Sequence, residues 1–228
     1  MFEWKERGVG LALGTSFCRR MKAGWTLVLY DKDIREPLFD YLEERYGKVR
    51  IIEEKQMGRS RVDIVMVLPD EIAGIEIKSD ADTYVRLERQ VKDYDRFFDR
   101  NYVVVGSTHA MHIEEHVPEY WGIISVEWLD ERVDFYMIRE AHRNPKVEMK
   151  QKIRILWRPE LMHIQEICGM ARYVGKSKEF VREKIVERVP EEILNRLMSE
   201  ELFERDYMEI EGRIREFRKG RRRGKGKN

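Results

Sequence analysis

Asp63, Glu76 and Lys78 are the residues whose types and spacing could do chemistry. They stand in the stretch RVDIVMVLPDEIAGIEIKSD, residues 61–80, among valines and isoleucines that otherwise read as buried strand. If Pro69-Asp70 forms the turn between two strands, Asp63 lies across from Glu76 on one face, about 5 Å away. Lys78, two residues beyond Glu76, shares that face because side chains alternate along a strand. A longer turn shifts the pairing by one residue and leaves the three as diagonal neighbours. Two carboxylates offer hard oxygens to a divalent cation. An amine beside them can orient water or stabilise developing charge.

Placing two acids and an amine among Ile64, Val65, Val67, Ile75 and Ile77 costs several kcal/mol unless something compensates them. A partly buried ion network would do so, and so would a sheet face open to water. A functional site is the third way.

The elements that must position these residues follow from periodicity. Ile34, Leu38, Tyr41 and Leu42 recur at helical spacing over Asp33–Tyr46, with Asp33 and Glu36 spaced as a capping box and Pro37 tolerable in a first turn. Val49–Ile52, Val62–Leu68 and Ile72–Ile77 read as strands. Tyr84, Leu87, Val91, Tyr94 and Phe98 give a second helix, Tyr102–Val105 a strand, and His109–Val117 a brief helix ended by Pro118. Gly122–Trp128 and Val133–Ile138 return to strand, so the first domain, residues 31–145, is expected to be an α/β mixed sheet with helices on its faces.

Beyond a charged connector, residues 153–217 read as a helical module. Pro159 opens its first helix and Gly175 closes it, Ser177 caps the second, and Pro190 starts the third. Three short helices with tight connections are the outline of a helix-turn-helix, or of any three-helix bundle. Residues 1–30 are a glycine-dotted leader with no stable period.

The 228 residues carry a net charge of +1, but the tail, residues 218–228 (RKGRRRGKGKN), holds seven Lys/Arg and no acid, so the rest is net acidic. Such an arm is solvated, and its usual partner is a polyanion, which makes Arg221, Arg222 and Arg223 candidate nucleic-acid contacts. Cys18 and Cys168 show no CxxC spacing, which excludes a cysteine-built zinc site and fits a reducing, cytoplasmic setting. No apolar run approaches the length of a membrane helix.

RVD (61–63) followed by EIK (76–78) on the next strand, between two helices, resembles the PD-(D/E)xK nuclease superfamily, with Val62 where the usual proline stands. Gln90 and Tyr94, on the following helix, resemble the QxxxY signature of its RecB-like branch. DIREPL, RLERQVKDYDRFFD and ILWRPEL are similar to an uncharacterised bacterial and phage group within it. The resemblance spans roughly Asp33–Leu202 and implies a restriction-endonuclease-like core that hydrolyses phosphodiester bonds, most readily in DNA, with Mg²⁺ or Mn²⁺. It implies that Asp63, Glu76 and the Ile77 carbonyl hold the ion, that Lys78 acts on the water, that Glu36 assists, and that Gln90 and Tyr94 align substrate. Arg86 and Arg89 on the same helix would contact phosphates, or be ordinary solvated charges. A homodimer is common in that superfamily. The alternative is a catalytically inactive DNA-binding protein that uses the helical module and the tail.

One rival motif, His112-Ile-Glu-Glu115-His116, matches H-x-x-E-H of inverted zinc peptidases and requires both histidines on one continuous helix face. No phosphate-binding glycine loop or nucleophile elbow occurs.

Overall fold

A six-stranded mixed sheet in the order β1-β2-β3-β4-β5-β6 is the centre of the computed structural model, which describes residues 28–205. Residues 1–27 and 206–228 lie outside the described residues, and with them Cys18, most of the leader, the end of the helical stretch and the basic tail.

Helix α1 (Asp31–Tyr46) precedes β1 (Arg50–Met57), β2 (Ser60–Val67) and β3 (Ile72–Lys78). The helix starts two residues earlier than its spacing suggests, because Asp33 is not the cap. Its carboxylate sits at the third helical position and accepts from the Tyr30 N–H at 3.1 Å. Pro37 therefore falls inside the helix, where it withholds one N–H. Strands β1 and β2 form a hairpin through Gly58, whose φ of 61° suits a glycine. Strands β2 and β3 pair antiparallel with Ile64 opposite Ile75 and Val67 opposite Ile72, the register that the Pro69-Asp70 turn requires.

A 3-10 turn (Tyr84–Arg86) leads into α2 (Leu87–Phe97), and β4 (Arg100–Gly106) then returns parallel to β3. The segment after β4 departs from the sequence expectation. It is a four-residue helix, α3 (Ser107–Ala110), and a separate 3-10 turn (Ile113–Glu115) rather than one helix. Strand β5 (Gly122–Leu129) is parallel to β4, and β6 (Arg132–Arg139) closes the sheet antiparallel. After a short α4 (Met149–Lys152) come α5 (Arg158–Ile167), α6 (Lys178–Arg188) and α7 (Glu191–Phe203). Helix α5 stops at Ile167, well before Gly175, whereas Ser177 does cap α6, accepting from the Phe180 N–H at 3.1 Å.

Each sheet face has its own apolar layer. Ile34, Leu38 and Leu42 of α1 pack on Ile64, Met66, Ile75, Ile77, Val104 and Ile124. On the other face, α2 and the C-terminal helices share one core with Val65, Val67, Ile72, Val103 and Ile123, joined by Tyr94, Phe98, Leu161, Val181 and Leu194. Buried polar ties stitch that layer together. Lys152 pairs with Asp99 at 2.5 Å, and Asn144 donates to the Asp95 and Phe98 carbonyls at 2.7 Å each, ending α2.

Gly74 shows how closely α2 sits on β3. A Cβ there would collide with the Phe98 ring and come within 2.8 Å of Tyr94. Gly74→Ala is expected to lower stability by about 1–3 kcal/mol in chemical denaturation, because rings held on both sides cannot give way. A loss under about 0.5 kcal/mol would mean that α2 can slide.

Candidate active site

The charged trio gathers where β2 and β3 part. Their ladder ends at Ile64–Ile75, and beyond it the Ile77 N–H donates to Asp63 Oδ2 at 2.9 Å instead of to a strand. Opposite Asp63 on β1, Glu54 adopts φ 49°, in the left-handed region, and the alternation of inward residues on β1 and β2 changes phase there. Strain of this kind is tolerated only where the surroundings enforce it.

Glu76 is the hub. It is 1% exposed, and its Oε1 accepts from Lys78 Nζ at 2.6 Å and from Gln90 Nε2, while Oε2 accepts from the Tyr94 hydroxyl at 2.6 Å. Lys78, 4% exposed, also donates to Gln90 Oε1 at 3.1 Å. The Tyr94 hydroxyl has one proton, so the short bond to Glu76 takes it and the Ile75 carbonyl at 3.4 Å does not. Its oxygen is then available to the Asp63 N–H at 3.3 Å. Burial, with Glu76 and Asp63 close by, holds the Tyr94 phenol well above its usual range, so it stays a donor. Five of the sequence-selected residues, Asp63, Glu76, Lys78, Gln90 and Tyr94, thus form one connected group, which Ile77 joins through its backbone.

Glu36 does not join them. It is exposed on α1 and makes no hydrogen bond or ion pair among the described residues. The helix reaches the site through its neighbour Arg35 instead. Arg35 Nε donates to Asp31 at 2.7 Å and Nη1 to the Asp63 carbonyl at 3.3 Å, while Nη2 stands 3.7 Å from Asp63 Oδ1. The Asp31/Arg35 spacing of four is the sequence signal for this orientation. Arg86 and Arg89 are exposed, and Arg221, Arg222 and Arg223 lie outside the described residues.

Burial first, and then the charge of Glu76, push the Asp63 carboxyl up to about 7, against the lowering effects of the Ile77 N–H and Arg35. The folded protein therefore holds a proton on Asp63 more tightly than the unfolded chain does. That contribution to stability is complete below the ordinary value of 3.8 and is lost as pH rises through about 7. In chelator, the melting temperature is expected to fall between about pH 5 and about pH 8, and Asp63→Asn should flatten the fall. Identical pH profiles for the two proteins would contradict the assignment.

Room for a divalent cation depends on unused acceptor capacity. Each carboxylate oxygen can take about two donors. Asp63 Oδ1 faces only a 3.7 Å ion pair, and Glu76 Oε2 has a single donor. Two acids that disfavour each other's charge, both with oxygen capacity left, fit a hard cation that fills the rest of its shell with water and backbone carbonyls. Among the described residues no three His, Cys, Asp or Glu side chains gather as a metal cage. The H-x-x-E-H reading fails on geometry, because Ile113–Glu115 is a 3-10 turn rather than part of one continuous α-helix from His112 to His116, and the His116 ring packs 4.3 Å from that of Tyr84.

A mixed six-stranded α/β sheet, with an acid–lysine–glutamine–tyrosine group at the parting of two strands, defines the kind of protein this is. The chain belongs to the family described as bacteriophage P4 protein cII, whose pattern matches residues 27–217. The solved structure of SfsA from Pyrococcus furiosus in complex with Ca²⁺ aligns with 54% of this chain and 68% of that one, at 17% identity and a TM-score of 0.34, a superposition too loose to carry an argument. No curated protein matches the chain. No helix among the described residues is long and apolar enough to cross a membrane.

Proposed function

We propose that the protein is a Mg²⁺- or Mn²⁺-dependent nuclease acting on DNA, with a restriction-endonuclease-like core of the PD-(D/E)xK type and C-terminal helices that help hold the nucleic acid. The observation that carries this reading is the convergence of Lys78, Gln90 and Tyr94 on the Glu76 carboxylate beside Asp63. Periodicity alone gives no reason for a glutamine, a tyrosine and a lysine from two elements to share one acid.

Asp63, Glu76 and the Ile77 carbonyl are the proposed ligands. A divalent cation bound there would lower the pKa of a coordinated water and offset charge on the phosphate. The chain's own groups do the rest. Tyr94 and Gln90 fix the orientation of Glu76 through both of its oxygens, while the Ile77 N–H holds Asp63 Oδ2 and Arg35 holds the Asp63 carbonyl and stands 3.7 Å from Oδ1. Lys78, held between Glu76 and Gln90, presents an ammonium that can orient the attacking water and stabilise charge on the phosphate oxygens. The exposed Arg86, at the end of the 3-10 turn, and Arg89 of α2 would contact backbone phosphates, which positions DNA without reading its sequence.

The direct test is incubation of supercoiled and linear DNA with the full chain and Mg²⁺ or Mn²⁺. Cleavage that chelator abolishes is expected, and intact DNA across both metals would overturn the reading. A second reading has one observation behind it, the near-complete burial of Glu76 and Lys78 at 1% and 4% exposure. If that pair never opens, the trio is an ion network inside a DNA-binding protein. Such a protein would show salt-sensitive DNA affinity without turnover.

A further inference from the structure

Arg35 is anchored through Nε and Nη1, and its remaining nitrogen is left beside the centre. Nε donates to Asp31 Oδ2 at 2.7 Å, and Nη1 to the Asp63 carbonyl at 3.3 Å and to Glu53 Oε2 at 3.5 Å. Nη2 stands 3.7 Å from Asp63 Oδ1, outside hydrogen-bond range, and donates to nothing among the described residues. A guanidinium is a rigid planar fork, so anchoring two of its nitrogens fixes the direction of the other. The side chain is 13% exposed, which leaves it little room to swing away.

Its surroundings do not call on that last nitrogen. Asp31, Glu53 and Asp63 converge on the one cation, so its charge is more than matched without Nη2. A guanidinium whose only task was to hold Asp63 would turn its fork onto the carboxylate and pair with it bidentately. Arg35 instead uses one arm on the Asp63 backbone carbonyl and stops short of Oδ1. Oδ1 is also the Asp63 oxygen that no hydrogen bond occupies, since Oδ2 takes the Ile77 N–H at 2.9 Å. An unused donor and an unused acceptor thus stand side by side where the centre would bind its cation. A cation at Oδ1 and the guanidinium would repel each other unless an anion lay between them. A phosphate oxygen is such an anion, and both can hold it.

We propose that Arg35 is a catalytic residue whose Nη2 donates to a non-bridging oxygen of the phosphate held at the Asp63–Glu76 centre. The assignment rests on the nuclease reading of that centre. In the hydrolysis the water oxygen bonds to phosphorus, the bond from phosphorus to one sugar oxygen breaks, and that oxygen takes up a proton of the water. Arg35 keeps its own protons throughout. Charge builds on the non-bridging oxygens as the water attacks, and a donor fixed in advance by Asp31 and the Asp63 carbonyl needs no reorganisation to meet it.

The test uses the full chain and a fluorescein-labelled DNA duplex, with anisotropy read in Ca²⁺ and in EDTA. Mn²⁺ binding is read separately, without DNA, from the paramagnetic resonance of the free ion. Arg35→Gln is expected to bind DNA at least about 10-fold more weakly than the parent in Ca²⁺ and within about threefold of it in EDTA, because the donor acts only on a phosphate drawn to the centre. It should bind Mn²⁺ at least as tightly as the parent, since a positive neighbour of Asp63 is gone, and cut DNA in Mn²⁺ about 100-fold more slowly. Weaker Mn²⁺ binding by the variant would make Arg35 a clamp for Asp63 and overturn the proposal. Arg35→Lys keeps the charge but has one nitrogen in place of the fork, so it should lose at least about threefold in Ca²⁺. Affinity equal to the parent's in Arg35→Lys would assign the effect to charge alone and overturn the proposal too. An equal gain from Ca²⁺ in the parent and in Arg35→Gln would overturn it while leaving the nuclease reading intact. A parent that gains no DNA affinity from Ca²⁺ and cuts nothing in Mn²⁺ would overturn both.

Discussion

Asp63→Asn is expected to slow metal-dependent DNA cleavage by about 100- to 10,000-fold, the range in which single groups that position or stabilise charge in a transition state act. The variant separates chemistry from architecture. Asparagine keeps an oxygen for the Ile77 N–H that Asp63 accepts at 2.9 Å, and Arg35 retains Asp31 at 2.7 Å. What disappears is one negative charge beside Glu76, the charge that burial and Glu76 already oppose. The metal-free variant should therefore be at least as stable as the parent above about pH 7 while its cleavage rate collapses. Single-turnover nicking of plasmid DNA in Mn²⁺, with circular dichroism as the folding control, measures both. Cleavage within about threefold of the parent would remove Asp63 from the centre.

The largest stability effect is expected far from that centre, at Glu160. The side chain is 4% exposed and does two things at once. As the third residue of α5 it accepts from the Trp157 N–H, and through both oxygens it takes the Arg205 guanidinium at 2.6 and 2.8 Å. Arg205 also donates to the Ile155 carbonyl at 3.1 Å, and its own carbonyl accepts from Arg50 of β1 at 2.6 Å. Removing the acid takes away the carboxylate that holds the buried guanidinium at two points and leaves α5 without its cap. Glu160→Ala is therefore expected to cost about 3–5 kcal/mol in urea denaturation. Restoring neutrality with Glu160→Ala/Arg205→Met should recover a large part of that loss, because the cost comes from the stranded charge more than from the missing attraction. A single-variant cost below about 1 kcal/mol would mean that water reaches Arg205 freely.

These two sites differ in how far the sequence announces them. The β2–β3 hairpin is local: β-branched runs on either side of Pro69-Asp70 fix its register, so the juxtaposition of Asp63 and Glu76 can be read before any coordinates. Gln90 and Tyr94 are four apart on one helix, and both point at Glu76. For α1 the family resemblance points to Glu36, and the residue at the site is its neighbour Arg35, about 100° round the helix. The pairs Glu160–Arg205 and Asp99–Lys152 leave no periodic trace, because each joins residues far apart in the chain through charges that local patterning assigns to the surface. The broken helix at His112 shows the converse: a four-residue spacing matches a motif, while tertiary packing of His116 on Tyr84 favours a turn.

The proposed chemistry requires the two acids of β2 and β3 to share a divalent cation. Crystals of the full chain soaked in Mn²⁺, with anomalous scattering collected at the manganese edge, test this most directly. The expected result is a peak bridging the Asp63 and Glu76 carboxylates. A map with no peak there at saturating Mn²⁺, and with Glu76 still enclosed by Lys78, Gln90 and Tyr94, would contradict it.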